Sequence, residues 1–399
     1  MRRYRIGSEI FDENAAALQL ALHEAYARKQ RPLCQCKEPE IMMYIARLGE
    51  QYVVKRMPLT GGDHDPACES YEPPYELSGL GALVGNAIQL EPATGMATLK
   101  LDFSLAKTGG RAAPISLGNS SHPVEGAARK LSLKGLLHYL WHEAGLTKWT
   151  SNWAGKRHWW NIRWHLLETA KQMIVKGAPL ADILFVPEPF RSSNKAAIEQ
   201  RRAAALAAAS PRRNGPRKLM VLVGEVKEFM ATRSGQKLII KHMPGFVFLV
   251  DDGLNGRLQV RFRNEILLWN ADDTAHLIAI ATFALDSVGL AVVEEIALMV
   301  VAPNWVPYET VSERKLVNAL AKLREQSTKC LRYNLAPDEP IAAALFPRRQ
   351  PRPVALYIVP AGTGPEFETA LDHMIRTRPE LDAWIWRVGD EEMPSLPLR

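Results

Sequence analysis

Between residues 14 and 30 the apolar side chains Ala17, Leu18, Ala21, Leu22, Ala25 and Tyr26 recur three and four positions apart. That is the spacing of one helix face, and Arg28 and Lys29 follow at the end where cations suit the helix dipole. The pattern then changes. Residues 41–47 and 51–57 are β-prone runs on either side of Leu48-Gly49-Glu50, which predicts a hairpin closed by Pro58 and Gly61-Gly62. Strand-rich sequence continues to about residue 103, and residues 107–126 read as a Gly/Ser/Pro linker.

A helix is predicted over 132–144, with Leu133, Leu136, Leu137, Leu140 and Trp141 on one side and Gly145 as its stop. A second is predicted over roughly 156–175, before a short strand at 183–186. Helix, helix, strand with a basic second helix makes this part winged-helix-like. Residues 191–217 combine an alanine-rich run with Arg201, Arg202, Arg212, Arg213 and Arg217, and read as a basic helix and linker. Strands are predicted at 219–226, 237–241, 246–250, 258–262 and 294–301, with a helix over 274–285 interposed.

The final segment predicts a helix over 312–325, strands at 330–333, 341–346 and 354–359, a helix over 366–377 and a strand at 383–388. That order, αβββαβ, is the core order of restriction-endonuclease-like nucleases. The expected fold class is therefore α+β and multi-domain. A zinc-stapled β-rich domain covers 1–106, a helical winged-helix-like middle 127–190, a basic helix and linker 191–217, a β-rich domain 218–306, and a degenerate nuclease-like core 307–390. A chain of 399 residues with 47% hydrophobic content is long enough for several cored units.

Lysine and arginine outnumber aspartate and glutamate by 50 to 43, which favours polyanionic partners without demanding them. Acidic residues Glu9, Asp12 and Glu13 follow the basic start where a signal peptide would be apolar, and no run is long enough to span a membrane. The expectation is a cytoplasmic protein with no membrane partner.

The chemistry begins with the cysteines. Cys34 and Cys36 form one pair, and His64 and Cys68 form another across a predicted hairpin. Two thiolates on one arm and an imidazole with a thiolate on the other match the tetrahedral preference of Zn²⁺, and Pro66 helps fix the turn between His64 and Cys68. With four protein ligands such a zinc would be structural. Unrelated reduced thiols are the alternative. Cys330, alone in its segment, reads as a small buried hydrophobe.

Trp149, Trp153, Trp159, Trp160 and Trp164 are interleaved with Lys148, Lys156, Arg157 and Arg163 and with His158 and His165. Aromatic faces and cations together suit nucleic acid, so Lys148, Lys156, Arg157, Arg163, Trp153 and Trp160 are its candidate contacts. The same tryptophans can instead share a helical face and form core.

A nuclease of the restriction-endonuclease-like kind would carry a carboxylate and a lysine on its third core strand, and 354–359 has neither. Glu225 and Lys227 form an E-x-K after an apolar strand, with Asp182 or Asp251 as more distant partners for Mg²⁺. No phosphate-binding glycine loop, HExxH or GxSxG pattern is present.

Several stretches together resemble an uncharacterised family of bacterial proteins: Arg31-Pro-Leu-Cys-Gln-Cys36, Met43-Tyr-Ile-Ala-Arg47, Lys55-Arg-Met-Pro58, the segment from His64 to Cys68, Leu133-Lys-Gly-Leu-Leu-His-Tyr-Leu-Trp141, Ala154-Gly-Lys-Arg157, Gly224-Glu-Val-Lys-Glu-Phe229 and Leu331-Arg-Tyr-Asn-Leu335. The family's members are carried largely on plasmids and integrative conjugative elements, and the resemblance runs nearly end to end. It implies an accessory role on a mobile element and no particular reaction. The leading expectation is a non-enzymatic nucleic-acid-binding protein whose partners are DNA or RNA and other proteins of the element. A Mg²⁺-dependent nuclease using Glu225 and Lys227 is the first alternative, and a protein–protein scaffold the second.

Overall fold

A computed structural model of the chain describes residues 2–91, 93–107, 129–210, 217–389 and 392–397. The linker expected over 107–126 lies, beyond Lys107, outside the described residues, as do Arg212 and Arg213. The chain is mixed α+β. No helix among the described residues is long and apolar enough to cross a membrane.

At the N-terminal end, strands Arg3–Ile6, Glu9–Asp12, Leu33–Cys34, Ile41–Leu48 and Gln51–Arg56 form one antiparallel sheet. Helix Leu18–Ala27 lays Leu18, Leu22 and Ala25 on Tyr4, Met43, Tyr52 and Val54. In strand Ile41–Leu48 the alternate residues Tyr44 and Ala46 face the other way, onto Met57 and Trp164. Both faces are covered, which is why this strand is apolar along most of its length.

Helix Leu133–Glu143 is buried nearly all round. The Ser132 hydroxyl caps it by accepting the Gly135 N–H at 3.0 Å, and Gly145 ends it at φ +75°. Short strands tie this middle region to its neighbours. Met173–Val175 pairs with Met96–Leu99, Lys148–Trp149 with Ser327–Lys329, and Leu184–Phe185 with Met220–Thr232. One core runs from Leu80 to Tyr333.

Strands Met220–Thr232, Gly235–Ile240, Val247–Asp251, His276–Leu285 and Ala291–Val301 close on themselves. The first half of Met220–Thr232 pairs with His276–Leu285 and its second half with Gly235–Ile240. The circuit continues through Val247–Asp251, which runs parallel to Ala291–Val301, and returns to His276–Leu285. A bulge between Val226 and Glu228 marks the change of partner. At the turn into the second strand, a Cβ on Gly235 would stand 2.1 Å from the Val250 carbonyl oxygen, so only glycine fits. Helices Asp252–Arg261 and Arg263–Asn270 connect the third strand to the fourth.

Three local expectations are corrected here. Residues 258–262 belong to helical structure, not to a strand: the Asp251 carboxylate accepts the Leu254 N–H at 2.7 Å, and Leu254 and Leu258 then share a buried face. Residues 274–285 are not a helix but contain strand His276–Leu285, paired on both edges and buried on both faces, so no alternation betrays it. Residues 330–333 are not a strand. The paired segment is Ser327–Lys329, and Tyr333 at φ 55° cannot continue an extended chain.

The C-terminal elements follow the order helix Val311–Ala321, strands Ser327–Lys329, Ala342–Phe346 and Val354–Val359, helix Pro365–Arg376 and strand Asp382–Arg387. The last strand lies parallel to Val354–Val359 at one edge of the sheet, and Lys148–Trp149 forms the other edge.

Candidate metal centre and the Glu225 cluster

Strand Leu33–Cys34 lies at the middle of the N-terminal sheet, with Cys34 paired to Tyr4 on one side and Ile41 on the other, and Cys36 follows just beyond the strand's end. His64 ends the short turn Gly61–Asp63. The Asp65 carboxylate accepts the Ala67 N–H at 2.8 Å and the Asp65 carbonyl accepts the Cys68 N–H at 2.8 Å, so the turn through Pro66 folds Cys68 back beneath His64. The four side chains converge. Cys34 Sγ and Cys68 Sγ are 3.9 Å apart, Cys36 Sγ is 3.3 Å from His64 Nδ1, Cys68 Sγ is 3.7 Å from the same nitrogen, and all four ligand atoms lie within 4.8 Å of one another. A tetrahedral ion with Zn–S bonds of ~2.3 Å needs edges of about 3.7 Å. The four residues could hold a metal ion, and among the described residues they are the one such group.

The surroundings favour a thiolate at Cys68 and neutral thiols at Cys34 and Cys36 while no cation is bound. Backbone N–H groups of Cys36, Asp65 and Ser70 reach the sulfurs of Cys34, Cys36 and Cys68 in turn and act to lower their pKa. Among the sulfurs alone, the hydrogen bond from Cys34 pulls the Cys68 thiol down to about 3, the same bond pushes Cys34 up, and burial pushes Cys36 up. A cation would displace the remaining protons.

Four residues beyond Cys68, the same loop delivers Glu72 into the protein. Its carboxylate meets Arg56 at 2.9 Å, Lys148 at 3.0 Å and His142 at 3.2 Å, while Arg56 also reaches Glu143 at 3.2 Å. Gly61 makes room, since a Cβ there would lie 2.6 Å from the Glu72 Cβ. Burial alone would raise the Glu72 pKa, but Arg56, Lys148 and His142 hold it well below the usual carboxylate range. Nothing in the spacing of these residues announced the cluster.

The candidate nucleic-acid contacts separate into two groups. Arg157 is buried: its guanidinium donates to the carbonyls of Leu146 at 3.0 Å and Asn304 at 3.1 Å and to Lys148, between the rings of Trp149 and Trp153. Lys148 is committed to Glu72, Arg163 donates to the Val186 carbonyl at 2.9 Å, and Trp153 is half-buried against Arg157 and His165. These hold the fold together. Trp160 and Lys156 face solvent, Trp160 with 49% of its surface exposed. Trp160 sits in the first turn of helix Trp159–Ala170, where the positive end of the helix dipole adds to Lys156.

Glu225 does not meet Lys227, Asp182 or Asp251. The bulge after Val226 breaks the strand's alternation, so Glu225 turns inward at 5% exposure and Lys227 outward at 61%, beside Glu228. Asp251 caps a helix opposite Gly235, six residues along the strand from Lys241, or about 20 Å at ~3.3 Å per residue. Asp182 lies near the level of Leu219, a similar ~20 Å from Glu225. Instead, barrel closure gathers other groups. Oε1 of Glu225 is 2.7 Å from Lys241 Nζ and 2.7 Å from His276 Nδ1, and Oε2 is 3.9 Å from His242 Nε2. His276 stacks on Trp305 with centroids 4.3 Å apart and planes at 11°, and His242 stacks on Trp159. Burial alone would raise the Glu225 pKa, but hydrogen bonds from His276 and Lys241 hold it below its ordinary value.

The fold and the four-residue cluster define a mixed α+β protein with a cysteine- and histidine-rich candidate metal centre at its N-terminal end. The chain belongs to the family described as Protein of unknown function (DUF1173), whose model matches residues 4–389. No curated protein and no solved structure matches the chain.

Proposed function

We propose that this is a nucleic-acid-binding accessory protein, its N-terminal sheet stapled by a structural zinc and its barrel engaging single-stranded DNA or RNA. The barrel carries the reading. Numbering its strands one to five from Met220–Thr232, their order around the barrel is one, two, three, five, four, with three parallel to five and helices between three and four. That is the strand order of the OB-fold, whose second and third strands and adjoining loops bind oligonucleotides. Fold alone is analogy, so the surface must carry its share.

On the outer face of these strands Met230 stands opposite Lys237, which stands opposite Leu249, and Arg233 occupies the turn between the first two. Neither Arg233 nor Lys237 makes an ion pair among the described residues. Unpaired cations beside an apolar strip offer phosphate neutralisation and a dry surface for bases. The centre at Cys34, Cys36, His64 and Cys68 supplies four soft or borderline ligands and no open position, which supports a structural ion. The resemblance to proteins of plasmids and integrative conjugative elements adds other element-encoded proteins as partners.

Anisotropy titrations of labelled single- and double-stranded 20-mers across a salt series test the reading. Single strands are expected to bind more tightly, with affinity falling as salt rises and falling further in Arg233→Glu and Lys237→Glu. Undetectable binding of both strands at low salt would leave a protein–protein scaffold as the better account.

A further inference from the structure

We infer that Glu225, His276 and Lys241 form a metal-independent proton-transfer centre that cleaves RNA by driving its 2′-hydroxyl onto the neighbouring phosphodiester. The inference rests on the nucleic-acid reading above and adds a reaction to it. His276 is held on two sides. Its Nδ1 lies 2.7 Å from Glu225 Oε1, and its ring lies flat on Trp305. Donation of Nδ1–H to the carboxylate selects the tautomer that leaves Nε2 as an acceptor, and no described residue hydrogen-bonds to Nε2. Trp305 is itself kept in the left-handed region at φ 65°, with its carbonyl accepting the Trp141 indole N–H at 3.1 Å. A non-glycine residue remains there only where its surroundings enforce it, and such residues gather at functional sites.

Lys241 completes the centre. Its ammonium binds the same Oε1 at 2.7 Å while half its side chain stays in solvent. Oε1 is thus already met by two donors, so the carboxylate needs no divalent cation for neutralisation. A base and an acid with that much charge compensation suit a reaction whose nucleophile the substrate brings with it. His276 Nε2 takes the 2′-hydroxyl proton, the 2′-oxygen bonds to phosphorus, the bond from phosphorus to the 5′-oxygen breaks, and that oxygen takes a proton from Lys241. The products are a 2′,3′-cyclic phosphate and a 5′-hydroxyl. Exchange with solvent resets both groups: His276 Nε2 releases the proton it gained to water, and half-exposed Lys241 takes one back. Helix Trp159–Ala170 joins the centre to the outside: Trp159 stacks on His242, which flanks Glu225 Oε2, and the next residue is the exposed Trp160, a platform on which a base of the bound strand can stack. DNA lacks the nucleophile and is spared.

The test incubates the full-length protein, without added divalent ion, with labelled single-stranded RNA and with DNA of the same sequence. The expected result is RNA fragments ending in 2′,3′-cyclic phosphate, intact DNA and no stimulation by Mg²⁺. His276→Asn keeps a donor to Glu225 but has no base, and should lower the rate by at least about 100-fold while binding RNA normally. Purified in parallel, that variant also measures contaminating ribonuclease. Should it misfold, Lys241→Gln, altered at a half-exposed position, replaces it with an expected loss of about 10-fold or more. RNA that binds and stays intact overturns the inference and leaves the nucleic-acid reading in place. Equal cleavage by parent and folded variant, a requirement for Mg²⁺, or 3′-hydroxyl ends would also overturn it. Absence of RNA binding at low salt overturns both.

Discussion

Arg56 and Glu72 meet at 2.9 Å with 9% and 7% of their side chains exposed, joining the last strand of the N-terminal sheet to the loop that leaves the candidate metal centre. A charge pair this deep is held by its whole set of partners. Removing one member strands the rest, because Arg56 retains Glu143 as its one ion-pair partner among the described residues while Lys148 and His142 lose their anion. Glu72→Ala is therefore expected to cost about 3 kcal/mol or more in denaturant unfolding. Glu72→Gln, which keeps the shape and loses the charge, should recover part of it. A cost under about 0.5 kcal/mol for Glu72→Ala would show that the cluster adds nothing to stability.

Only a few residues of chain, from Cys68 to Glu72, separate the candidate metal centre from this cluster. Freshly purified protein is expected to hold about a full equivalent of zinc, and Cys36→Ser less than about a tenth. Loss of the ion should free the loop and expose the Glu72 cluster, so Cys36→Ser should lower Tm, and the Glu72→Ala penalty should shrink in that background. Cys330→Ser should keep its zinc, because Cys330 lies buried in a separate core cluster with Leu77 and Tyr357. Plasma emission analysis beside thermal unfolding checks each statement. Metal-free protein with an unchanged Tm would end the structural assignment.

His138 is expected to make stability depend on pH. It is buried at the centre of helix Leu133–Glu143, and its Nδ1 accepts the Tyr333 N–H at 3.0 Å, which requires the neutral ring. Burial pushes its pKa down to about 3. The unfolded chain takes up a proton near pH 6.5 that the folded chain refuses, so the contribution is complete above that value and is lost as pH falls towards about 3. The expected slope from this group is about 1.4 kcal/mol per pH unit between roughly pH 6 and 4. Denaturant midpoints across that range, with His138→Gln as comparison, test it. An equally steep loss in the variant would place the effect elsewhere.

How much of this was legible depends on where the information lies along the chain. The Cys34, Cys36, His64 and Cys68 set could be read because each pair is local and a metal restricts ligand spacing tightly. Helix Leu133–Glu143 could be read because Ser132 and Gly145 mark its ends chemically. The barrel could not. Strand His276–Leu285 is buried on both faces, so apolar residues fill both sets of alternate positions and no polar period of two appears, and reading it as a helix hid the fourth of five strands. With that strand missing, closure was invisible, and so was the meeting of Glu225 with His276 across 51 residues. Read as five strands with helices between the third and fourth, 220–301 would have carried its topology openly. The E-x-K spacing of Glu225 and Lys227 misled for a related reason: the bulge that lets the strand change partners also turns the two side chains apart.

The tryptophan and arginine stretch divides between the two roles that its composition allowed, and substitution should separate them. Trp160 lies exposed, and stacking of a base on an aromatic ring is worth about 1–3 kcal/mol. Trp160→Ala is therefore expected to weaken single-strand binding by about 5-fold to 100-fold with little change in Tm. Arg157→Ala should do the opposite in kind. It strips the carbonyls of Leu146 and Asn304 of their donor and opens a gap between Trp149 and Trp153, so Tm falls. Binding by the fraction that remains folded, and its salt slope, should stay close to the parent's, because a guanidinium bonded inside the protein releases no counterion from phosphate. If Arg157→Ala changed the salt slope while leaving Tm alone, the guanidinium would have to reach the nucleic acid after all, and the division between buried scaffold and exposed platform would fail.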